Sequence, residues 1–191
     1  MGREFELKFR AEPGKIPVIK EKYGDFTTIS METTYYDTQD RKLSTRHCTL
    51  RRRMENTVSV CTFKAPHKDG GRKELETEAE TIQEGVLKLC KAGAELMLLQ
   101  IATEDLIEVC GARFTRLAKS LEIPGAKVEL ALDQGILLGG SKELPFAEVE
   151  VELKEGTDEA AIAFAKALAE EFGLIPEPKS KFARAMALAM A

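Results

Sequence analysis

The chain has 191 residues, 43% of them hydrophobic and 31% charged, which is enough to build one real core without disulfides. Its formal net charge of -4 opposes a polyanionic backbone, so no nucleic-acid partner is expected, although a local basic cluster can still take a small anion. No stretch approaches about 18 uncharged apolar residues and no apolar leader follows Met1, so the expectation is a cytoplasmic protein with no membrane partner.

The opening segment alternates Glu4, Glu6 and Lys8 with Phe5, Leu7 and Phe9, the period of two of a strand with one charged and one apolar face. Glu12-Pro13-Gly14 breaks that pattern and a short helix is expected over 13–22. Residues 27–36, rich in Thr, Ile and Tyr, read as extended, and Asp37-Thr38-Gln39-Asp40 is a turn signal. The chain is extended again over 49–64 with a hairpin near 55–57, and a polar loop over 66–71 leads into a strand over 72–79. Between 82 and 99 the apolar spacing becomes helical, as two helices broken around Gly93 or one helix that tolerates this glycine. A short turn over 104–108 precedes strands over 109–119, 127–132, 136–138 and 146–153, separated by glycine-containing turns, which suits antiparallel hairpins. The helix over 157–172 has Asp158 and Glu159 in its first turn and is stopped by Gly173 and Pro176; a last helix covers 181–190. No repeat or flexible linker divides these elements, so they read as one α+β domain over 1–191.

The acidic alternation returns in Glu74, Glu76 and Glu78 and in Glu148, Glu150 and Glu152, while Glu129 and Asp133 share a parity. Like charges at every second position repel unless a cation stands between them. The basic residues have an order too: Arg51 and Arg53 share a face, Lys64 ends the neighbouring strand, Arg72 begins the next, and Arg113 and Arg116 occupy another. On an open sheet these charges are wet; on a closed one they line an interior that needs paired signs and bound ions. Such an interior suits a ligand dense in negative charge together with a divalent metal, because guanidinium and ammonium groups grip phosphate oxygens while clustered carboxylates hold a hard cation. Other chemistries are poorly served. Cys48, Cys61, Cys90 and Cys110 form no Cys-x-x-Cys pair, and His47 and His67 have no ligand-spaced partner, which argues against zinc and against a histidine-based nucleophile.

Glu4-x-Glu6-x-Lys8 resembles the signature of the CYTH, or triphosphate tunnel metalloenzyme, superfamily. The resemblance continues through Thr34-Tyr35-Tyr36-Asp37-Thr38, Leu50-Arg51-Arg52-Arg53, Thr62-Phe63-Lys64, Arg72-x-Glu74-x-Glu76, Glu129-x-x-x-Asp133, Glu148-x-Glu150-x-Glu152 and Ser180-Lys181-Phe182, and is greatest to the stand-alone bacterial inorganic triphosphatases. It implies an α+β fold in which eight antiparallel strands close into a barrel, the triphosphate tunnel, with helices packed outside. It implies Mg2+ or Mn2+ held by Glu4, Glu6, Glu76, Asp133, Glu148 and Glu150, with Lys8, Glu4, Glu6, Glu148 and Glu150 carrying the catalysis. Lys8, Arg51, Arg53, Lys64, Arg72 and Lys181 would bind substrate, joined by Arg113 or Arg116, between which strand parity does not choose. The implied reaction is metal-dependent hydrolysis of tripolyphosphate to pyrophosphate and phosphate. Alternatives within the superfamily are thiamine triphosphatase and a class IV adenylyl cyclase acting on a nucleoside triphosphate, and outside enzymes a phosphate-binding module. A homodimer formed through an outer apolar face is a further expectation.

Overall fold

The computed structural model describes residues 5–67, 72–92 and 96–191. The strands are β1 (Glu6–Arg10), β2 (Thr27–Thr38), β3 (Thr49–Glu55), β4 (Val58–Pro66), β5 (Arg72–Glu78), β6 (Leu106–Ile123), β7 (Ala126–Gly139), β8 (Lys142–Gly156) and β9 (Ile175–Pro176). The helices are α1 (Lys15–Tyr23), α2 (Ile82–Lys91), α3 (Leu96–Ile101), α4 (Asp158–Phe172) and α5 (Lys181–Met190). Local chemistry accounts for the boundaries. Thr81, Thr157 and Ser180 each accept a hydrogen bond from the backbone N–H three residues on, capping α2, α4 and α5, and Gly173, at φ 65, ends α4 in a left-handed turn. Asn56, at φ 54, makes the tight β3–β4 hairpin and accepts the Ser30 N–H at 2.9 Å.

All the strands pair antiparallel in one sheet of order β5-β4-β3-β2-β6-β7-β8-β1-β9. This corrects the expected closed eight-stranded barrel: the sheet has nine strands among the described residues, is open, and has β5 and β9 as its edges. One physical reason opposes closure: the second edge of β1 is taken by β9, through Phe9↔Pro176 and Arg10↔Ile175. The sheet nevertheless curls, because one pocket is lined by residues from β1 at one end and β5 at the other.

The two stretches expected over 127–132 and 136–138 are one strand, β7, and Gly135 is what permits it. Gly135 stands opposite Phe114 in the β6–β7 ladder, and a Cβ there would lie 2.1 Å from the Arg113 carbonyl oxygen and 2.5 Å from Phe114 Cβ. Gly135 is therefore a site of close backbone approach. The apolar parity of the strands turns outward. Leu130, Leu132, Val149 and Val151 pack under α1 and α4, and Leu50, Cys61 and Phe63 pack under α2 and α3. Helix α5 is the exception: it lies with Ala185 against Phe114, Leu137 and Phe146, whose register is that of the charged, concave face.

Candidate functional site

The ladder register arranges the concave face in rows across the strands. Beginning at α5, the first row holds Phe114, Gly135 and Phe146; the second holds Arg116, Asp133, Glu148 and Arg10; the third holds Ala118, Ala131, Glu150 and Lys8; the fourth holds Ser120, Glu129, Glu152 and Glu6. On the far side, Tyr35, Arg51, Thr62 and Glu76 are successive partners, as are Thr49, Lys64 and Glu74. The period of two thus delivers acids and bases from both ends of the sheet to one cavity of about 450 Å³.

The second and third rows form a dense ion cluster. Asp133 and Glu148 are fully buried, and Glu150 and Lys181 nearly so. The Lys181 ammonium reaches Asp133 Oδ2 and Glu150 Oε1, both at 2.8 Å, and also bonds Glu148. Arg116 donates from Nε to Asp133 Oδ1 at 2.8 Å and from Nη2 to Asp133 Oδ2 at 2.7 Å and Glu150 Oε2 at 2.5 Å; Arg184 pairs with Glu148. Three cations thereby face three acids, the condition under which buried charges are tolerated. Burial works against every charge here. For Lys181 the attraction of Glu150, Asp133 and Glu148 outweighs it and raises the ammonium pKa, and for Glu150 the Lys181 and Arg116 charges outweigh it and hold the carboxyl well below its usual range. Glu148 goes the other way, pushed up chiefly by its own burial.

The opposite wall is looser. Arg51 Nη2 lies 3.8 Å from both Glu74 and Glu76, its buried Nε has no hydrogen-bond partner, and Lys64 sits 3.1 Å from Glu74. Arg53 is 6% exposed, donates from Nε to Thr33 Oγ1 at 2.9 Å, and among the described residues comes no nearer than 4.0 Å to a carboxylate, that of Glu55. Burial and the neighbouring Arg51 charge lower its pKa to about 10. Arg72 donates to the His47 and Lys64 carbonyls at 2.9 and 3.4 Å, which ties the start of β5 to the end of the β2–β3 loop. That loop is pinned by Asp37, buried to 1% exposure, which accepts from the N–H groups of Thr38, Leu43 and Ser44 and from the Ser44 hydroxyl.

Most of the residues singled out from sequence converge. Glu6, Lys8, Arg51, Arg53, Lys64, Arg72, Glu76, Arg116, Glu150 and Lys181 line the cavity, and Asp133 and Glu148 lie in the ion cluster. Glu4 lies outside the described residues. Of the pair left open by parity, Arg116 enters the cavity, whereas Arg113 belongs to the outer face and pairs with Glu143 at 3.2 Å, both side chains more than half exposed. Sequence reading did not select Arg184, although its spacing of three from Lys181 on a helix places both over the same acids. Glu129 and Glu152, noticed only as parts of the alternation, line the cavity beside Glu6. The cysteines stay in packing roles; burial pushes the Cys110 thiol up to about 12.

The donors fit a hard divalent cation. Asp133, Glu148 and Glu150 bring one oxygen each to within 4.8 Å of one another, with no sulfur or imidazole among them. Because Lys181 bonds all three, a metal at this point requires the ammonium to move aside. In the fourth row Glu6, Glu152 and Glu129 stand in successive register, with Lys154 at 2.8 Å from Glu152, but among the described residues only Asp133, Glu148 and Glu150 bring their oxygens together closely enough to hold one ion.

The sequence pattern of the CYTH domain matches residues 2–186. The chain belongs to the CYTH domain family. An inorganic triphosphatase from Haemophilus influenzae is 26% identical over 191 residues, covering 96% of this chain and 54% of its own length, so the CYTH chain spans about half of that relative. Among solved structures, the Hippeastrum protein HpAC1, an adenylyl cyclase candidate described with a dominant triphosphatase activity, superposes with a TM-score of 0.69 at 19% identity, over 98% of this chain and 95% of its own. An adenylate cyclase candidate from Bacillus halodurans gives 0.66 at 20% identity, over 94% and 96%. PH1819 from Pyrococcus horikoshii OT3 gives 0.61 at 21% identity, over 96% and 99%. At these identities the likeness is one of fold. No helix among the described residues is long and apolar enough to cross a membrane.

Proposed function

We propose that this CYTH chain is a single catalytic domain that hydrolyses tripolyphosphate to pyrophosphate and phosphate with Mg2+ or Mn2+. The observation that carries the proposal is one cavity in which Arg51, Arg53, Lys64 and Arg72 stand with Glu55, Glu74 and Glu76 on one wall, and Glu6, Glu129, Glu150 and Glu152 stand with Lys8, Arg116, Lys154 and Lys181 on the other. A triphosphate needs both: donors for its oxygens, and a cation to offset repulsion between those oxygens and the protein's carboxylates. The triphosphatase activities described for the Haemophilus and Hippeastrum proteins favour the same substrate class.

In this scheme Arg51, Arg53 and Lys64 bind the phosphate chain and set its direction, and Lys8, third-row neighbour of Glu150, orients water toward the terminal phosphorus. Glu4, Glu6, Glu76, Asp133, Glu148 and Glu150 are the proposed metal-side acids, with Glu129 and Glu152 adjoining them. The bound metal supplies charge neutralisation on the phosphates and a more acidic coordinated water. Lys181 is held by Asp133, Glu148 and Glu150, the same acids that would hold a metal, and would be free to bind phosphate wherever they did so. Donors that tighten only on the in-line transition state raise turnover, whereas equal grip on ground and transition states raises affinity alone.

The test is a product-resolved assay of tripolyphosphate, thiamine triphosphate and ATP with each metal. Rapid release of phosphate and pyrophosphate from tripolyphosphate is expected; cyclic AMP as the main product from ATP would overturn the proposal in favour of a cyclase, and tight binding without product would favour a binding module. Within the active case, Glu6→Gln is expected to lower metal-dependent turnover by at least about 100-fold while leaving the unfolding transition in place.

A further inference from the structure

One aromatic ring lies under the cations of both walls. The Phe114 ring, 6% exposed, has Lys181 Nζ 5.0 Å, Arg53 Cζ 5.7 Å and Arg116 Cζ 6.0 Å from its centroid. Phe146 meets it edge-on, with centroids 5.7 Å apart and planes at 67°, and takes Lys181 and Arg184 at 5.5 and 5.6 Å. A cation over a ring face is attracted by the quadrupole, most strongly where water is excluded. Gly135 makes this placement possible, since any side chain there would collide with the Phe114 backbone across the ladder.

The cations do not depend on the ring equally. Lys181 and Arg116 are fastened to carboxylates at 2.8 Å or less. Arg53 is as deeply buried, yet its contacts are the Thr33 hydroxyl, the ring, and Glu55 at the 4.0 Å limit of an ion pair. A carboxylate at the ring's position would neutralise Arg53 and occupy its N–H groups, competing with an incoming anion. A ring attracts the charge without accepting those hydrogen bonds.

We infer that Phe114 is a positioning residue of the anion site, whose ring face keeps the Arg53 guanidinium buried and oriented with only the distant Glu55 carboxylate beside it among the described residues, so that its N–H groups serve a phosphate oxygen. The role as a phosphate donor rests on the triphosphate reading of the cavity; the clamp on Arg53 does not. Phe114 acts through Arg53 and need not touch the substrate. The competing account is that Phe114 fills space among Met31, Tyr35 and Leu137, and ring shape alone would serve that purpose.

Fluorination separates the two, because it drains the ring face of negative potential with little change of shape. The protein is made with 4-fluoro-, 3,5-difluoro- and 3,4,5-trifluorophenylalanine at position 114, alongside Phe114→Leu and Phe114→Tyr. Hydrogen exchange of the Arg53 Nε–H is followed by NMR without ligand, and tripolyphosphate affinity is measured by calorimetry without metal. With the unfolding temperature held or raised, exchange is expected to quicken stepwise along the series and affinity to fall by about tenfold at the trifluoro member, with Tyr close to native. Unchanged exchange and affinity across the fluorinated series, even where Leu is impaired, would overturn the inference and leave a packing residue. If native protein binds no tripolyphosphate, the substrate proposal fails, and the exchange series still decides whether Phe114 holds Arg53.

Discussion

The two walls of the cavity carry similar kinds of side chain and treat them differently. On the β7–β8 side, Asp133, Glu148 and Glu150 are buried with their counter-charges supplied from within by Arg116, Lys181 and Arg184. On the β3–β5 side, Arg51 stands 3.8 Å from its acids with an unbonded Nε, and Arg53 is held by a hydroxyl and a ring. The first wall is neutralised and rigid; the second leaves donors for an anion. A polyphosphate site needs that asymmetry, since an anion binds where positive charge is uncommitted and a metal where acids can be turned outward.

The largest expected effect breaks the self-neutralised wall. Lys181→Met leaves three buried acids with two cations and should destabilise the fold by about 3–5 kcal/mol, read as a lower urea midpoint with unchanged slope. On the other wall, Arg51→Ala should barely move that midpoint but weaken tripolyphosphate binding by about 10- to 100-fold in calorimetry, the loss of charge-assisted bonds. If Arg51→Ala were as destabilising as Lys181→Met, the contrast between the walls would be lost.

A smaller effect concerns acid. Because the folded pKa of Glu150 lies below its unfolded value of about 4.3, the folded state binds fewer protons there; its stabilisation is complete above that value and is lost as pH falls through the lowered one. Glu148, pushed up by burial, has the opposite sign and takes its proton at higher pH, so the Glu150 contribution is read below about pH 4. Urea titrations from pH 7 to 3 should show stability falling in that range, with a shallower fall in Glu150→Gln. The smallest effect sits outside both walls: Arg113→Ala breaks an exposed pair with Glu143 and should change stability by less than about 0.5 kcal/mol and phosphate affinity not at all. A marked loss of affinity would return Arg113 to the site.

Much of the site could be read in the chain because strand parity is local. Once Glu6 and Lys8, and likewise Glu148 and Glu150, are known to alternate, the shared face of each pair follows without any tertiary information. Arg184 could not be found that way, since its neighbour Glu148 comes from another element and only the seating of α5 on the concave face brings them together. Phe114 was hidden for a different reason: in a strand an apolar residue at a charged parity looks like a lapse in the pattern, and its purpose appears only when three cations gather over it. The part Gly135 plays was out of sight for the same cause, since the close approach it permits is to another strand.

By itself the sequence determined the alternation, the caps, the helix at 181–190 and the residues that share a face, because each depends on neighbours a few positions apart. Tertiary structure decided closure, partner choice and protonation. The sheet stays open because β9 takes the β1 edge, Arg116 rather than Arg113 enters the cavity because register fixes which face each presents, and Glu150 is held ionised because Lys181 and Arg116 reach it from distant elements. These are contacts between segments far apart in the chain, and their energies depend on distance and burial that no local pattern encodes.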